Sequence, residues 1–243
     1  MKIKKMQRRL PFQWIIILLL LLLFGLFCLS FLIGRYPISP VEVLKILFSG
    51  AFPIAQSWTD IMYSVVMDVR IPRIILAICV GAGLSVSGAA FQGVFRNPLV
   101  SPDIMGVSSA AGFGASLAIS LSVGSASVQG FAFVFGLLGV GISYSLSRVH
   151  KTSPTIMMVL SGIVVGSLFD AFLSIMKYLA DPVEKLPAIT FWLMGSLSAV
   201  RWVQVTFAAP IILLGIVVLA VVSWQINLLS MGDEEARSLG VRT

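Results

Sequence analysis

Long apolar runs alternate with short polar segments along the whole chain. A helix needs about 20 apolar residues to cross the hydrocarbon core of a bilayer. Runs of about that length predict six transmembrane helices, over residues 12–33, 74–94, 104–121, 130–146, 154–176 and 203–224. The pattern therefore predicts an all-α, polytopic membrane protein.

The first apolar run follows a basic tail, an arrangement that also fits a secretory signal. The apolar region of a signal has roughly 7–15 residues and is followed by a small-residue cleavage site. This run is longer and ends in the bulky and basic sequence FLIGR at 31–35. A first span that is retained in the membrane is the favoured interpretation.

The polar segments predict surface structure between the spans. Charged side chains and three prolines interrupt the apolar pattern of residues 34–69, which favours short surface helices: Glu42, Lys45, Asp60, Asp68, Pro37, Pro40 and Pro53. Residues 96–103 follow the second span. Pro98 and Pro102 lack amide hydrogens and restrict the residues before them, so we expect this segment to form a turn outside the helix.

The composition excludes several classes of protein. Charged residues make up 11% of the chain, whereas a soluble domain has roughly 25%. An ordinary soluble enzyme, a disordered chain and a nucleic-acid-binding domain are therefore excluded. Cys28 and Cys79 lie inside apolar runs, where cysteine usually acts as a small hydrophobe. We therefore expect neither a disulfide nor a metal site.

The positive charge indicates orientation. The formal net charge is +7, and five of the 17 basic residues lie in the N-terminal tail: Lys2, Lys4, Lys5, Arg8 and Arg9. Basic residues concentrate on the cytoplasmic side of membrane proteins. The tail and the short loop with Arg148, His150 and Lys151 are thus predicted to be cytoplasmic. Six crossings return the end of the chain to the cytoplasm.

The second predicted span is rich in small residues. Gly83, Ser87 and Gly88 lie within it, and Gln92 lies near its end. Small side chains let helices approach closely in lipid. The same residues also suit a thin helix that lines a wide path, so packing and path lining both remain open for these four positions.

Asp170 is the one acid well inside a predicted span. A carboxylate at that depth is costly, and such residues commonly serve transport paths or proton relays. Lys177 lies seven residues further on and shares its helix face. Hydration near the outer mouth is the alternative interpretation of Asp170.

Motifs for bond-making chemistry are missing from the sequence. It contains no Walker A motif, which P-loop ATPases require, and no His-Glu-x-x-His metal motif. Ser87 and Ser161 precede glycines, but His150 is the single histidine and lies in a predicted loop. We therefore predict a protein without catalytic residues or a cofactor.

Three motifs around the second span carry a family resemblance: RIPR at 70–73, SGAAFQG at 87–93 and RNPLVSPDIMGV at 96–107. They resemble the FecCD family, the permeases of ABC importers for iron–siderophore complexes, haem and cobalamin. The segments YLADP at 178–182 and FWLMGSL at 191–197 are similar to later parts of that family. The segment LLSMGDEEARSLG at 228–240 resembles its coupling helix, which docks on the ATPase.

The resemblance implies a fold of about ten helices per subunit, at ~20 residues each. Residues 1–243 are then a single transmembrane permease domain, and about four further spans are expected beyond them. The implied assembly contains a second permease subunit, identical or different, two cytoplasmic ATPases and an extracytoplasmic binding protein. It lies in the lipid of a bacterial or archaeal cell (inner) membrane. The implied cargo is an iron chelate of the siderophore type, and ATP hydrolysis belongs to the partner subunits.

The resemblance also implies roles for two sets of residues. Arg70 and Arg73 would pair with acidic residues of the binding protein, because guanidinium groups form bidentate pairs with carboxylates. Residues 228–243 would couple to the ATPase through the following positions: Gly232, Asp233, Glu234, Glu235, Ala236, Arg237, Leu239 and Gly240. Acids suit the start of this short helix and Gly240 suits its end.

Within this coupling segment, Ala236 and Leu239 are three residues apart. On a helix they would share one small apolar face, which a shallow groove on an ATPase could accept. Two other functions remain as alternatives to the importer. One is an ion-coupled secondary transporter that uses Asp170, and the other is a membrane-embedded enzyme.

Overall fold

The computed structural model describes residues 11–148 and 154–240, and it contains α-helices and no strands within those ranges. In chain order the helices are α1 (Phe12–Leu32), α2 (Pro40–Phe48), α3 (Asp60–Ser64), α4 (Ile71–Phe95), α5 (Val107–Ser120), α6 (Ser125–Ser147), α7 (Pro154–Leu179), α8 (Lys185–Met194), α9 (Trp202–Val221), α10 (Ser223–Met231) and α11 (Asp233–Ser238). The predicted basic tail at 2–9, His150 and Lys151 lie outside the described residues, as do the side chains of Asp233 and Glu234.

Five helical stretches within the described ranges are long and apolar enough to cross a membrane. They are α1, the continuous stretch Asp60–Phe95, α6, the part of α7 from Ile156 to Leu179, and α9. These correspond to five of the six predicted spans, and the all-helical, polytopic prediction is confirmed.

The third predicted span is shorter than expected. Residues 104–121 were expected to form a full crossing, but α5 begins at Val107 and has 14 residues, or about 21 Å at 1.5 Å per residue. The start is displaced because Pro102–Met105 forms a 3-10 turn and Gly106 adopts a left-handed conformation with φ of 70°. Helix α5 is also largely buried, with Ala110, Ala115 and Ala118 fully covered.

The second span begins earlier than predicted. Helix α3 continues through a π-helix at Val65–Arg70 directly into α4. Thr59 caps the start of this stretch, where its hydroxyl accepts the amide of Met62 at 3.3 Å. The expected surface helices in 34–69 are thus α2, with its N-cap Ser39, and α3, which is the first turn of a long membrane helix.

The described chain forms two units, each with its own core. The first contains Met1–Ile75 and Val200–Trp202. Its buried core consists of apolar side chains from α1, α2, the π-helix, α4 and the connecting segments: Phe31, Ile38, Val43, Ile46, Trp58, Val66 and Ile74. Trp202 belongs to this unit, where its indole nitrogen donates to the carbonyl of Met67 at 3.0 Å.

The second unit contains Leu76–Ala199 and Val203–Thr243. Here α5, α6 and α7 pack against one another. Phe113 of α5 lies edge-on to Phe135 of α6, at 5.2 Å between ring centroids. The turn before α5 meets α7 closely: a Cβ added at Gly162 would lie 2.0 Å from the carbonyl oxygen of Ile104. Ser143 of α6 donates to the carbonyl of Met105 at 3.0 Å in a buried contact. The turn is therefore fixed from two sides.

Candidate functional site

Arg70 is 6% exposed, and its side chain forms hydrogen bonds with backbone carbonyls of the same chain. Its guanidinium donates to the carbonyl oxygens of Phe31 and Tyr36, at the end of α1 and in the segment that follows. Carbonyls at a helix C-terminus lack intrahelical donors, and a cation there also compensates the helix dipole. Gly34 makes room for this arrangement, since a Cβ there would lie 2.8 Å from an Arg70 Nη.

This geometry changes the interpretation of Arg70 and Arg73. The structure does not present Arg70 as an open docking residue, because its donors face internal carbonyls. Arg73 lies one turn further along and is half-buried. The docking role remains a prediction for Arg73, while Arg70 fixes the segment behind it. The sequence motif alone did not indicate this division, because the acceptors are backbone atoms more than 30 residues away.

The small residues of α4 separate into packed and open positions. Gly83 is a packing position, since a Cβ there would lie 2.9 Å from Cγ2 of Ile212 on α9. Ser87 donates its hydroxyl to the carbonyl of Gly83 at 2.7 Å. Gly88 has open space around its Cβ position, and Gln92 is exposed. Among these path candidates, Gly88 and Gln92 therefore offer surface, while Gly83 supports the contact with α9.

Asp170 is exposed on α7, and no hydrogen bond or ion pair of its carboxylate is found among the described residues. It lies nine residues before the end of α7 at Leu179, or about 13 Å along the axis. A carboxylate at that depth costs about 2.5–3.5 kcal/mol in lipid, so such groups face water or protein. Ser174 lies on the same side, and its hydroxyl bonds the backbone of Asp170 at 2.8 Å.

The turn after α4 leaves the helix as the prolines predict. Arg96 has a φ of 50°, and Leu99 donates its amide to the Asn97 side chain at 3.0 Å. No continuous helix runs through Asn97, so the predicted turn is confirmed. The side chain of Arg96 reaches the far end of the sequence, where its Nε donates to the carbonyl of Leu229 on α10 at 2.8 Å.

The predicted coupling helix corresponds to α11. Gly232 separates it from α10 with a φ of 144°, and a Cβ at Gly232 would lie 2.0 Å from Glu235 Oε2. Gly240 follows the helix with a φ of 86°, which suits glycine at a helix end. The short helix between two glycines is therefore present, one residue shorter at its start and two at its end than the predicted range of 232–240.

The prediction that Ala236 and Leu239 form one apolar face of this helix for the ATPase is wrong. Ala236 is fully buried within the chain, whereas Leu239 is 59% exposed. Ala236 therefore lies on the side of α11 that faces the rest of the chain, and α10 is in contact with α11. Leu239 alone of this pair offers apolar surface. Glu235 and Arg237 are exposed beside it.

Five helical stretches of spanning length among the described residues, and a turn after the second of them that is bonded to α10, define a multi-pass membrane protein. The chain belongs to the FecCD transport family, whose model matches residues 19–243. It is 39% identical over 210 residues to the molybdate import system permease protein MolB of Haemophilus influenzae, which covers 86% of this chain and 62% of that protein. It is also 39% identical over 178 residues to the cobalamin import system permease protein BtuC of Halobacterium salinarum, covering 73% of this chain and 48% of that one.

A solved structure supports the fold over nearly the whole chain. It is described as an inward-facing conformation of a metal-chelate type ABC transporter, with a TM-score of 0.80 and 36% sequence identity. The match covers 95% of this chain and 69% of that one. The chain thus spans about half to two thirds of the length of the relatives and structure that it matches.

Proposed function

We propose that the chain is permease sequence of an ABC importer that carries a metal chelate across the cell membrane. The observation that carries the proposal is the match of the FecCD model to residues 19–243 together with the fold match at a TM-score of 0.80. The chain would supply the path and the docking surfaces, and a partner ATPase would supply the energy. The residues described above offer no bond-making chemistry of their own.

The mechanism we propose is alternating access. ATP binding closes the two partner ATPases, and the coupling segment transmits that movement to the spans. Within this chain the movement would enter at α11 and pass through α10 to the turn after α4, because Arg96 joins that turn to Leu229. A charge-assisted hydrogen bond of this kind favours joint movement of the two segments.

The proposed path residues are the open positions on two helices. Gly88 and Gln92 lie on α4, and Asp170 lies on α7 with Ser174 one turn away. Water in such a path would hydrate Asp170 and remove the cost of exposing a carboxylate to lipid. Arg73, at the opposite end of α4 from Gln92, is the proposed contact for acidic side chains of a binding protein.

The proposed cargo is an iron chelate of the siderophore type. The relatives named above carry molybdate and cobalamin in their names, and the matched structure is of the metal-chelate type. A carboxylate at Asp170 would disfavour a small oxyanion on the path, because like charges repel by about 1 kcal/mol at 4 Å even in water. A large chelate distributes its charge and is less affected by one carboxylate.

Uptake measurements test this function and its cargo separately. Cells with the intact operating transporter would receive radiolabelled ferric siderophore, cobalamin or molybdate, with and without ATP depletion. We expect ATP-dependent uptake of the ferric chelate, competed by unlabelled chelate and insensitive to molybdate. ATP-dependent uptake of molybdate alone would support the proposed importer function and contradict the proposed ferric-chelate cargo. Uptake that follows an ion gradient and ignores ATP would favour the secondary transporter that Asp170 could serve.

A further inference from the structure

An open apolar groove lies along one face of α6, and Arg148 follows directly after this helix. The groove has a volume of about 690 Å³, and its lining is almost wholly apolar: Val134, Leu137, Leu138, Gly141, Ile142, Ser145 and Leu146. All of these residues lie on α6, in two rows at four-residue spacing. Rows of this kind form the ridges of a helix surface. One row contains large side chains only. The other row contains Gly141 and Ser145, whose small side chains form the floor of the groove.

The floor of the groove is open and apolar. A Cβ added at Gly141 would meet no atom within 4 Å, so nothing in the described chain fills this position. Ser145 turns its hydroxyl onto the carbonyl of Gly141 at 2.7 Å, which leaves methylene rather than hydroxyl toward the groove. A flexible hydrocarbon chain is the shape and chemistry that fits.

Arg148 stands at the end of the groove, one turn beyond Ser145. Its guanidinium carbon lies 4.8 Å from the centroid of the Tyr144 ring, and the guanidinium also donates to the Tyr144 hydroxyl. Tyrosine is enriched at the level of lipid headgroups. A guanidinium carries five N–H donors in a fork that matches phosphate, and the hydrogen bond found for it within the described residues is the one to the Tyr144 hydroxyl.

The dimensions agree with one leaflet. From Val134 to Arg148 is 14 residues on one helix, or about 21 Å. A leaflet measures about 20–22 Å from the bilayer centre through the headgroups. A lipid whose phosphate meets Arg148 would therefore extend its acyl chain along the whole groove.

We propose that this face of α6 is a binding site for an anionic phospholipid, with the phosphate at Arg148 and one acyl chain over Gly141. The positive charge of Arg148 favours an anionic headgroup. The small residues Gly141 and Ser145 leave space for an acyl chain on the surface of α6. The site is independent of the cargo and of the partner ATPase. It also differs from general lipid contact, because loss of the Arg148 charge should remove the headgroup preference and a larger side chain at Gly141 should weaken binding.

Native mass spectrometry of the purified chain in detergent tests the site, with phosphatidylglycerol and phosphatidylcholine of identical acyl chains as probes. We expect phosphatidylglycerol to bind about five-fold more tightly, the effect of one basic residue near an anionic lipid. Arg148→Gln should bring both lipids to the same affinity, and Arg148→Lys should keep part of the preference. Gly141→Leu should weaken the binding of both lipids.

Gly215→Leu on α9 is the matched control, because that glycine is also exposed and open. It should leave both affinities unchanged, and circular dichroism should show equal helix content in every variant. An unchanged phosphatidylglycerol preference in Arg148→Gln would overturn the headgroup site. Equal effects of Gly141→Leu and Gly215→Leu would contradict the proposal that the groove at Gly141 binds an acyl chain.

Discussion

Arg96 and Leu229 are joined by a hydrogen bond of 2.8 Å across 133 residues of sequence. The donor lies in the turn after the second membrane helix, and the acceptor lies in the last turns of α10, just before Gly232 and α11. The bond therefore connects the segment expected to contact an ATPase with a turn at the end of a membrane helix. This connection offers a physical route for coupling within one chain.

Replacement of Arg96 should loosen the coupling segment. An exposed hydrogen bond contributes about 1 kcal/mol, so Arg96→Ala should speed amide exchange in α10 and α11 about five-fold. Hydrogen exchange with mass spectrometry would measure this at the amides of Ala236 and Leu239, which bond to Gly232 and Glu235. Arg35→Ala, another exposed arginine, is the control and should change nothing there. Equal exchange in both variants would show that the bond does not hold the segment.

Leu239 is the sharper test of ATPase contact. Leu239→Glu places a charge on an exposed apolar surface, so the chain should fold normally while association with the ATPase falls at least about ten-fold. Co-purification at matched expression would measure this, with Arg35→Ala, an exposed position outside the coupling segment, as the surface control. Full ATPase retention in Leu239→Glu would remove α11 from the docking surface.

Ala236→Glu should act on the chain itself. Ala236 is fully buried, and an unpaired charge buried there costs several kcal/mol. We expect a lower melting temperature in detergent, whereas Ala236→Ser should be milder because the hydroxyl is small and can bond nearby backbone. A normal melting temperature for Ala236→Glu would contradict the burial of Ala236 within the chain.

Substitutions of Arg70 and Arg73 should have different effects on stability and on the association of a binding protein. Arg70→Ala removes donors to the carbonyls of Phe31 and Tyr36, and hydrogen bonds from a charged group contribute about 1.5–3 kcal/mol each. It should lower the melting temperature. Arg73→Glu should slow the association of a binding protein, most clearly at low salt. If Arg73→Glu leaves the association rate and its salt dependence unchanged, the docking role of Arg73 is wrong.

The sequence predicted much of this fold because its main signals are local. Apolar run length located the spans, Pro98 and Pro102 located the turn, and the acids at 233–235 and Gly240 located the start and end of α11. The features that were missed depend on contacts between distant residues. The burial of Arg70 depends on carbonyls of Phe31 and Tyr36, and the burial of Ala236 depends on how α11 folds onto α10.

The shortened α5 was missed for a similar reason. Its apolar sequence continues through Ile104 and Met105, so run length alone extends the span. The observed 3-10 turn there packs against Gly162 and accepts a hydrogen bond from Ser143, and neither contact is visible in the local pattern. Among the path candidates, composition could not separate Gly83, which packs on Ile212, from Gly88, which is open.

Asp170 should react as a residue in water. Asp170→Cys should label with a membrane-impermeant maleimide, because a hydrated thiol ionises and reacts while a thiol in lipid does not. Leu168→Cys is the matched control, since Leu168 is exposed on the same helix and faces a different direction. Equal labelling of the two positions would show that α7 has no separate hydrated face.

Isolation of the transporter from its native membrane in mild detergent tests the central claim most directly. The account predicts that this chain retains a P-loop ATPase, that vanadate inhibits the ATP hydrolysis of the complex, and that Leu239→Glu releases the ATPase. A chain that purifies without any P-loop ATPase, while vesicles containing it take up the chelate in the presence of vanadate, would contradict the account.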